Sequence, residues 1–251
     1  MALIRVLPLV LLLLLTFAPL CAQEEEDWGP YQFASSVMEM PEELRPGNSF
    51  QGYAELQVHV IWHSIPAWLA GDWVSSQYRV LKSWDHTTGA YYTLPSGSDA
   101  YNYYHLGDLA DAKGTVWTAL ISPEIKDLDL GDRIDSQNVV ATKIAHVTTT
   151  SFAIRERIFH VVINKQDRRI LEAYTQEKVT EFGRVEGGMV VAAEYNTLYN
   201  ADGTRTMTTN AVLVLKRRAQ FAQVSFRNGV DLLISLSDHL QNVGLGHLVA
   251  W

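Results

Sequence analysis

The chain has 251 residues, with 20 Lys and Arg against 28 Asp and Glu for a formal net charge of −8, and a single cysteine. The acidic balance, relieved only by the run Lys216-Arg217-Arg218, excludes the concentrated positive surface that nucleic-acid binding requires. One cysteine excludes an intrachain disulfide framework, so apolar packing has to hold the fold.

In chain order, Arg5 precedes an apolar run from Val6 to Leu20 that is shorter than the roughly 20 residues of a spanning helix. This pattern predicts a secretion signal over residues 1–22 with cleavage after Ala22. Lipidation of Cys21 is the competing fate, and Pro19-Leu20 just before it, in place of small residues, argues against it. The expectation is an exported protein, periplasmic or extracellular in a bacterial envelope, with no stable membrane span once the signal is removed. Residues 23–48 carry Glu24-Glu25-Glu26-Asp27 and three prolines, and read as a flexible acidic leader that is ordered only where it docks.

Residues 49–251 read as one domain. Phe50, Ala54, Val58, Ile61, Ile65 and Trp68 recur at three- and four-residue spacing, which predicts an amphipathic helix capped by Asn48 or Ser49 and ended by Pro66. The β-formers Val58, Val60, Ile61 and Trp62 make a strand the alternative for Tyr53 to Trp62. Beyond Gly71, segments rich in Val, Ile, Thr, Tyr and Trp alternate with turn clusters such as Asn164-Lys165-Gln166-Asp167 and Asn200-Ala201-Asp202-Gly203. Strands are expected over Trp73–Trp84, Ala90–Leu94, Tyr101–Gly107, Thr115–Ser122, Asn138–Thr149, Phe152–Ile163, Ile170–Phe182, Met189–Tyr199 and Thr204–Arg218, with Pro123–Asp135 as an acidic loop over one end. Long sequential antiparallel strands curl and close, so the fold class is all-β, an up-and-down barrel of eight to ten strands. Asn228, as N-cap, and Gly244, as terminator, bracket a C-terminal helix with Val230, Leu233, Ile234, Leu240 and Val243 on one face; Leu248–Trp251 reads as a last short strand.

Gly71-Asp72-Trp73 at the first strand, the meander, Arg217 or Arg218 ending the last long strand and the helix after it together resemble the lipocalin and wider calycin pattern. The resemblance covers residues 65 to 251. It implies a barrel plugged at one end by Gly71, Trp73, Arg217 and Arg218, with the basic side chain lying across the tryptophan. It extends to the fold and implies no particular ligand.

An eight-stranded barrel holds one small ligand, so inward positions carry the function. Aromatic residues concentrate in the first four strands, among them Tyr78, Tyr104 and Trp117. In the strand Phe152–Ile163, strand alternation sets Ile154, Glu156, Ile158, His160 and Val162 on one face, which reads as the inner one. Glu156 and His160 are then buried polar groups in need of partners, and candidates for acid–base chemistry. Tyr174 joins them as a ligand-orienting group. His59 and His63 stand four apart, yet two ligands do not make a metal site, and His105 and His146 read as structural or solvent-exposed. No nucleophile elbow, P-loop, dinucleotide fingerprint or zinc motif occurs, so no cofactor is expected. The leading expectation is an exported barrel that binds a small, mostly apolar molecule. The alternatives are an isomerase, cyclase or hydrolase using Glu156 or His160, and a filled barrel acting as an envelope interaction module.

Overall fold

The computed structural model of the protein describes residues 30–54, 57–75, 77–92, 102–185 and 189–250. The expected secretion signal with Cys21, the turn at 95–99 and the Gly187-Gly188 turn lie outside these residues. Among the described residues the chain is mostly antiparallel β-structure with one α-helix, and no helix is long and apolar enough to cross a membrane.

The strands are β1 (His59–Ile65), β2 (Gly71–Ser75), β3 (Arg79–Asp85), β4 (Ala90–Tyr92), β5 (Asn102–Leu106), β6 (Leu109–Ala110), β7 (Val116–Ser122), β8 (Glu124–Asp129), β9 (Arg133–Val147), β10 (Ser151–Asn164), β11 (Ile170–Arg184), β12 (Val190–Asn200) and β13 (Arg205–Gln220). From β8 to β13 each strand pairs with the next, because tight turns join most of them. Asn164 and Asp167 accept the backbone N–H of Gln166 and Arg169, and Asn200 and Asp202 both accept that of Thr204. Such side-chain bonds to nearby amides are what fit these residues to turns. β13 then returns to pair with β3 and with β2, and β2 pairs onward with β5. The main hydrogen-bonded path, β4-β3-β13-β12-β11-β10-β9-β8, ends at β4 and β8 and does not close on itself. A second sheet, β1-β7-β6, is continuous in chain with the first, since β7 runs through Pro123 into β8 and β5 through Gly107-Asp108 into β6.

Three expectations are corrected here. The described residues of Phe50–Trp68 form no helix: residues 59–65 are β1, paired with β7 from His59↔Ser122 to Ile65↔Val116. β7 is buried along its whole length and requires a partner for its backbone, which the β-branched run of β1 supplies. The expected first strand divides into β2 and β3. The expected loop over Pro123–Asp135 carries β8, which pairs with β9 from Glu124↔Val139 to Asp129↔Ile134.

The described part of the acidic leader, from residue 30 onward, lies across the sheet. Val37 N–H donates to Gly203 O and Met40 N–H to Ala201 O, Tyr199 donates its hydroxyl to Ala34 O, and Arg205 reaches the carbonyls of Phe33 and Ala34. Met40, Leu44 and Phe50 bury themselves with Val161, Ile163 and Ile170. Gly203, at φ +84°, sits where a Cβ would come within 2.1 Å of Val37 O, so only glycine lets the segment cross there.

The C-terminal helix α1 (Leu232–Asn242) forms as expected and Gly244, at φ +77°, follows its end, but its cap and its buried face differ from expectation. Asn228 and Gly229 are both left-handed, the two-residue turn of a small hairpin pairing Phe226 with Asp231, so Asp231 caps the helix by accepting Ile234 N–H. Leu232, Leu236 and Leu240 pack on Trp62, Leu109, Trp117 and Ile121, while Ile234 and Val243 face outward. The expected final strand is instead a 3-10 turn at Gly246–Leu248.

Candidate functional site

The site is built on the sheet face that carries Trp73. There, Phe152 of β10, Phe182 of β11, Val190 and Ala192 of β12, and Leu213 and Leu215 of β13 close around the fully buried indole. Trp73 donates its Nε1–H to Leu69 O at 2.7 Å. The Arg217 guanidinium lies 4.2 Å from the ring centroid and donates to Trp68 O (2.6 Å) and Ala70 O. Gly71, at φ +128°, leaves room for this, since a Cβ there would meet Ala219 O at 2.5 Å and Arg217 at 2.8 Å. Gly71, Trp73 and Arg217 are thus brought together. Arg218 points the other way, over Tyr103.

Strand alternation carries this same face up β10, β11 and β12 as Ile154, Glu156, Ile158 and His160; as Thr180, Lys178, Gln176 and Tyr174; and as Glu194 and Asn196. Above the apolar layer the side chains become polar and join across strands. Glu156 pairs with Lys178 at 2.8 Å. Tyr104 donates to Glu194 at 2.8 Å, and Tyr78 lies near the same carboxylate. Asn196 Nδ2 lies 3.4 Å from the Tyr78 hydroxyl and accepts at Oδ1 from Gln176 Nε2 (2.7 Å). Gln176 Oε1 lies 2.8 Å from His160 Nε2, whose Nδ1 lies 3.0 Å from Asp135. The Tyr174 ring stacks on His160 with centroids 4.4 Å apart. A connected chain therefore runs from Asp135 through His160, Gln176 and Asn196 to Tyr78, with the Tyr104–Glu194 and Glu156–Lys178 pairs beside it.

The electrostatics follow from enclosure. Burial pushes the Glu156 carboxyl up, but the Lys178 ammonium overrides it and leaves Glu156 below its ordinary value. Burial alone lowers Lys178, yet Glu156 and Glu194 hold it above the usual lysine range. Burial and Glu194 together push Tyr104 and Tyr78 well up, so both stay protonated donors. Burial also raises Asp135, and the His160 hydrogen bond reverses this to a net lowering. Glu156 and Lys178 each keep 20% of their side-chain surface accessible. Separately, a groove of about 230 Å³ lies where β9 meets β10, lined by Thr142, Lys143, Arg155, Glu156, Arg157 and Glu177.

Of the residues expected from sequence, Tyr78, Tyr104, Glu156, His160 and Tyr174 lie in this polar layer, Glu156 and Tyr104 in pairs of their own. Trp117 does not: it faces α1, donating to Asp111 Oδ2 and meeting the His239 ring edge-on. His59 and His63 lie on β1 rather than on a helix, and the described residues hold no cluster of three metal-ligating side chains. His146 bonds Tyr31 and Ser151. Lys178, Gln176, Glu194, Asn196 and Asp135 were not foreseen. A signal existed for two of them, since Gln176 and Lys178 keep the parity of Tyr174 and Phe182.

His105 is placed between two carboxylates, Asp72 at 2.7 Å and the fully buried Asp108 at 3.4 Å. Asp108 also accepts Ala119 N–H and pairs with Arg227, tying both sheets to the C-terminal hairpin. The nearby Asp108 carboxylate raises His105 against burial, with the Asp72 hydrogen bond adding to it. A histidine raised on folding stabilises most below its unfolded value near about 6.5, and that stability is lost as pH rises through the folded value. Urea unfolding across this range should show His105→Asn removing a pH-dependent part of stability that is largest in acid. A constant difference between the two proteins from pH 5 to 9 would refute this.

Comparison with protein-family models, with curated proteins and with solved structures finds no match to this chain.

Proposed function

We propose that the protein is a small-molecule-binding barrel of the lipocalin-like kind, holding its ligand on the Trp73 face. The circuit of neighbours supports the barrel: β13 pairs β2, β2 pairs β5, β5 continues into β6, β6 pairs β7, β7 continues into β8, and β8 begins the run back to β13. Arg217 over Trp73 at one end of that circuit supports a plugged base. The observation that carries the binding reading is the connected polar network above the apolar layer. A filled core needs no such array of buried charges, because each costs desolvation energy that hydrophobic residues avoid. A ligand with an apolar body against Ile154, Phe182 and Tyr104 and a polar head at Glu156, Lys178 and Glu194 matches both layers.

Binding is favoured over catalysis because the Lys178 ammonium lowers the basicity of Glu156 and both His160 nitrogens are engaged. A general base has to present a free lone pair to its substrate. The protein as exported from its source carries a bound molecule of small-ligand mass, which native mass spectrometry detects. Protein from that source with no retained ligand, and with no probe quenching its tryptophan fluorescence, would overturn the reading.

A further inference from the structure

On the face of the sheet opposite Trp73, we infer a binding site for a phosphate group, free or carried as a monoester, in the groove where β9 meets β10. Cross-strand register sets Lys143 directly opposite Arg155, Ala141 opposite Arg157, and Arg157 opposite Glu177, with all these side chains on the one face. The same alternation sends the side chains of Thr142 and Glu156, which also border the groove, through to the Trp73 face, where Glu156 meets Lys178. Three cations and one carboxylate therefore face the groove. Its volume of about 230 Å³ is several times the roughly 30 Å³ share of a water molecule, so a tetrahedral anion fits. Two positive charges are left over, and a phosphate dianion balances them where a single carboxylate does not.

The surroundings do not neutralise this charge. Glu177 is engaged by Arg157 itself, which donates from Nε (3.2 Å) and Nη2 (2.7 Å) to one carboxylate oxygen. The next carboxylate on this face of β11, Glu181, is taken up by Tyr31 and His146, and β12 offers only Tyr195 and Thr197 opposite Val179 and Glu177. Arg155 donates to Gln32 O at 2.9 Å and lies 5.2 Å from the Phe33 ring centroid, while Arg205 reaches the carbonyls of Phe33 and Ala34. Both guanidiniums thus rest on neutral groups, and Arg205 adds to the positive potential. Lys143 is exposed and has no hydrogen bond or ion pair among the described residues. Like charges directly opposite in antiparallel strands repel, so an anion between Lys143 and Arg155 relieves a cost that the sheet otherwise bears. The two groove arginines are already held in place, and their bonds use one of the five N–H donors of Arg155 and two of those of Arg157. The remaining donors have the fork geometry that suits phosphate oxygens.

Isothermal titration of the full chain with inorganic phosphate, phenyl phosphate and benzoate at pH 8 tests this. Both phosphates are expected to bind saturably and more tightly than benzoate, and the tighter of the two shows whether the natural group is a free ion or an ester. Lys143→Gln, at an exposed position without described partners, is expected to weaken phosphate about tenfold, the worth of one charge-assisted hydrogen bond. Lys143→Arg should keep the binding, and Lys113→Gln, on the turn between β6 and β7, should leave it unchanged. Equal affinity in Lys143→Gln and the unsubstituted protein, no saturable binding of either phosphate, or benzoate binding as tightly would overturn the assignment. So would phosphate binding that emerges only when Glu24-Glu25-Glu26-Asp27 are replaced by glutamine, which would give the groove to the chain's own acidic run. The groove and the Trp73 face lie on opposite sides of the sheet, so failure here leaves the binding barrel standing.

Discussion

Lys178→Met is expected to destabilise the protein by about 3–5 kcal/mol, because removing one partner of an enclosed ion pair leaves the other charge uncompensated. Here the stranded group is Glu156, whose carboxyl depends on Lys178 to remain ionised. Glu194 loses the nearby ammonium as well. The double variant Glu156→Met, Lys178→Met is expected to recover most of the loss, since apolar groups of similar volume in place of a buried pair are often neutral or stabilising. Urea unfolding of the two variants decides the matter. If Lys178→Met costs under about 1 kcal/mol, the pair behaves like an exposed one, and the enclosure argued for this face is wrong. If the double variant is no better than the single, the loss comes from shape rather than from stranded charge.

The second large effect belongs to Trp73. Trp73→Ala is expected to cost about 3–5 kcal/mol, the range for emptying a fully buried aromatic site. Its indole is 0% exposed and is contacted from β10, β11, β12 and β13, so no single neighbour can fill the void. Arg217→Met keeps the aliphatic stem but loses the cation–π contact and two charged hydrogen bonds, for an expected cost of about 2 kcal/mol. Because the two side chains act on each other, the double variant should lose less than the sum of the singles. Additive losses would mean that the guanidinium holds Trp68 and Ala70 independently of the ring.

The strand series from Gly71 onward was legible because alternation and turn chemistry are local signals. The face of β10 that carries Ile154, Glu156, Ile158 and His160 was legible for the same reason. What β10 faces was not: Lys178, Glu194 and Asp135 reach the network through cross-strand register, which links residues far apart in sequence. The false helix over Phe50–Trp68 has a comparable origin. Its apolar residues go different ways, Phe50 with Met40 and Leu44, Ile65 with Trp73, and Val58 and Ile61 exposed, so their spacing of three and four reflects no common face. Trp117 was misassigned because counting aromatics in a strand does not tell which side of it is covered by a helix.

The return of β13 to β2 and β3 sets an order of events during biosynthesis. Residues 71–85 emerge early, while their partners at 207–220 are made more than a hundred residues later. Until then that stretch has an unpaired edge, and α1, which covers β1 and β7, comes later still. Pairings this distant in sequence slow folding to the millisecond-to-second range typical of β-rich topologies. The nascent chain therefore completes its main sheet only once residues 207–220 have been made, and the same β2–β13 contact that seats Arg217 over Trp73 waits for them.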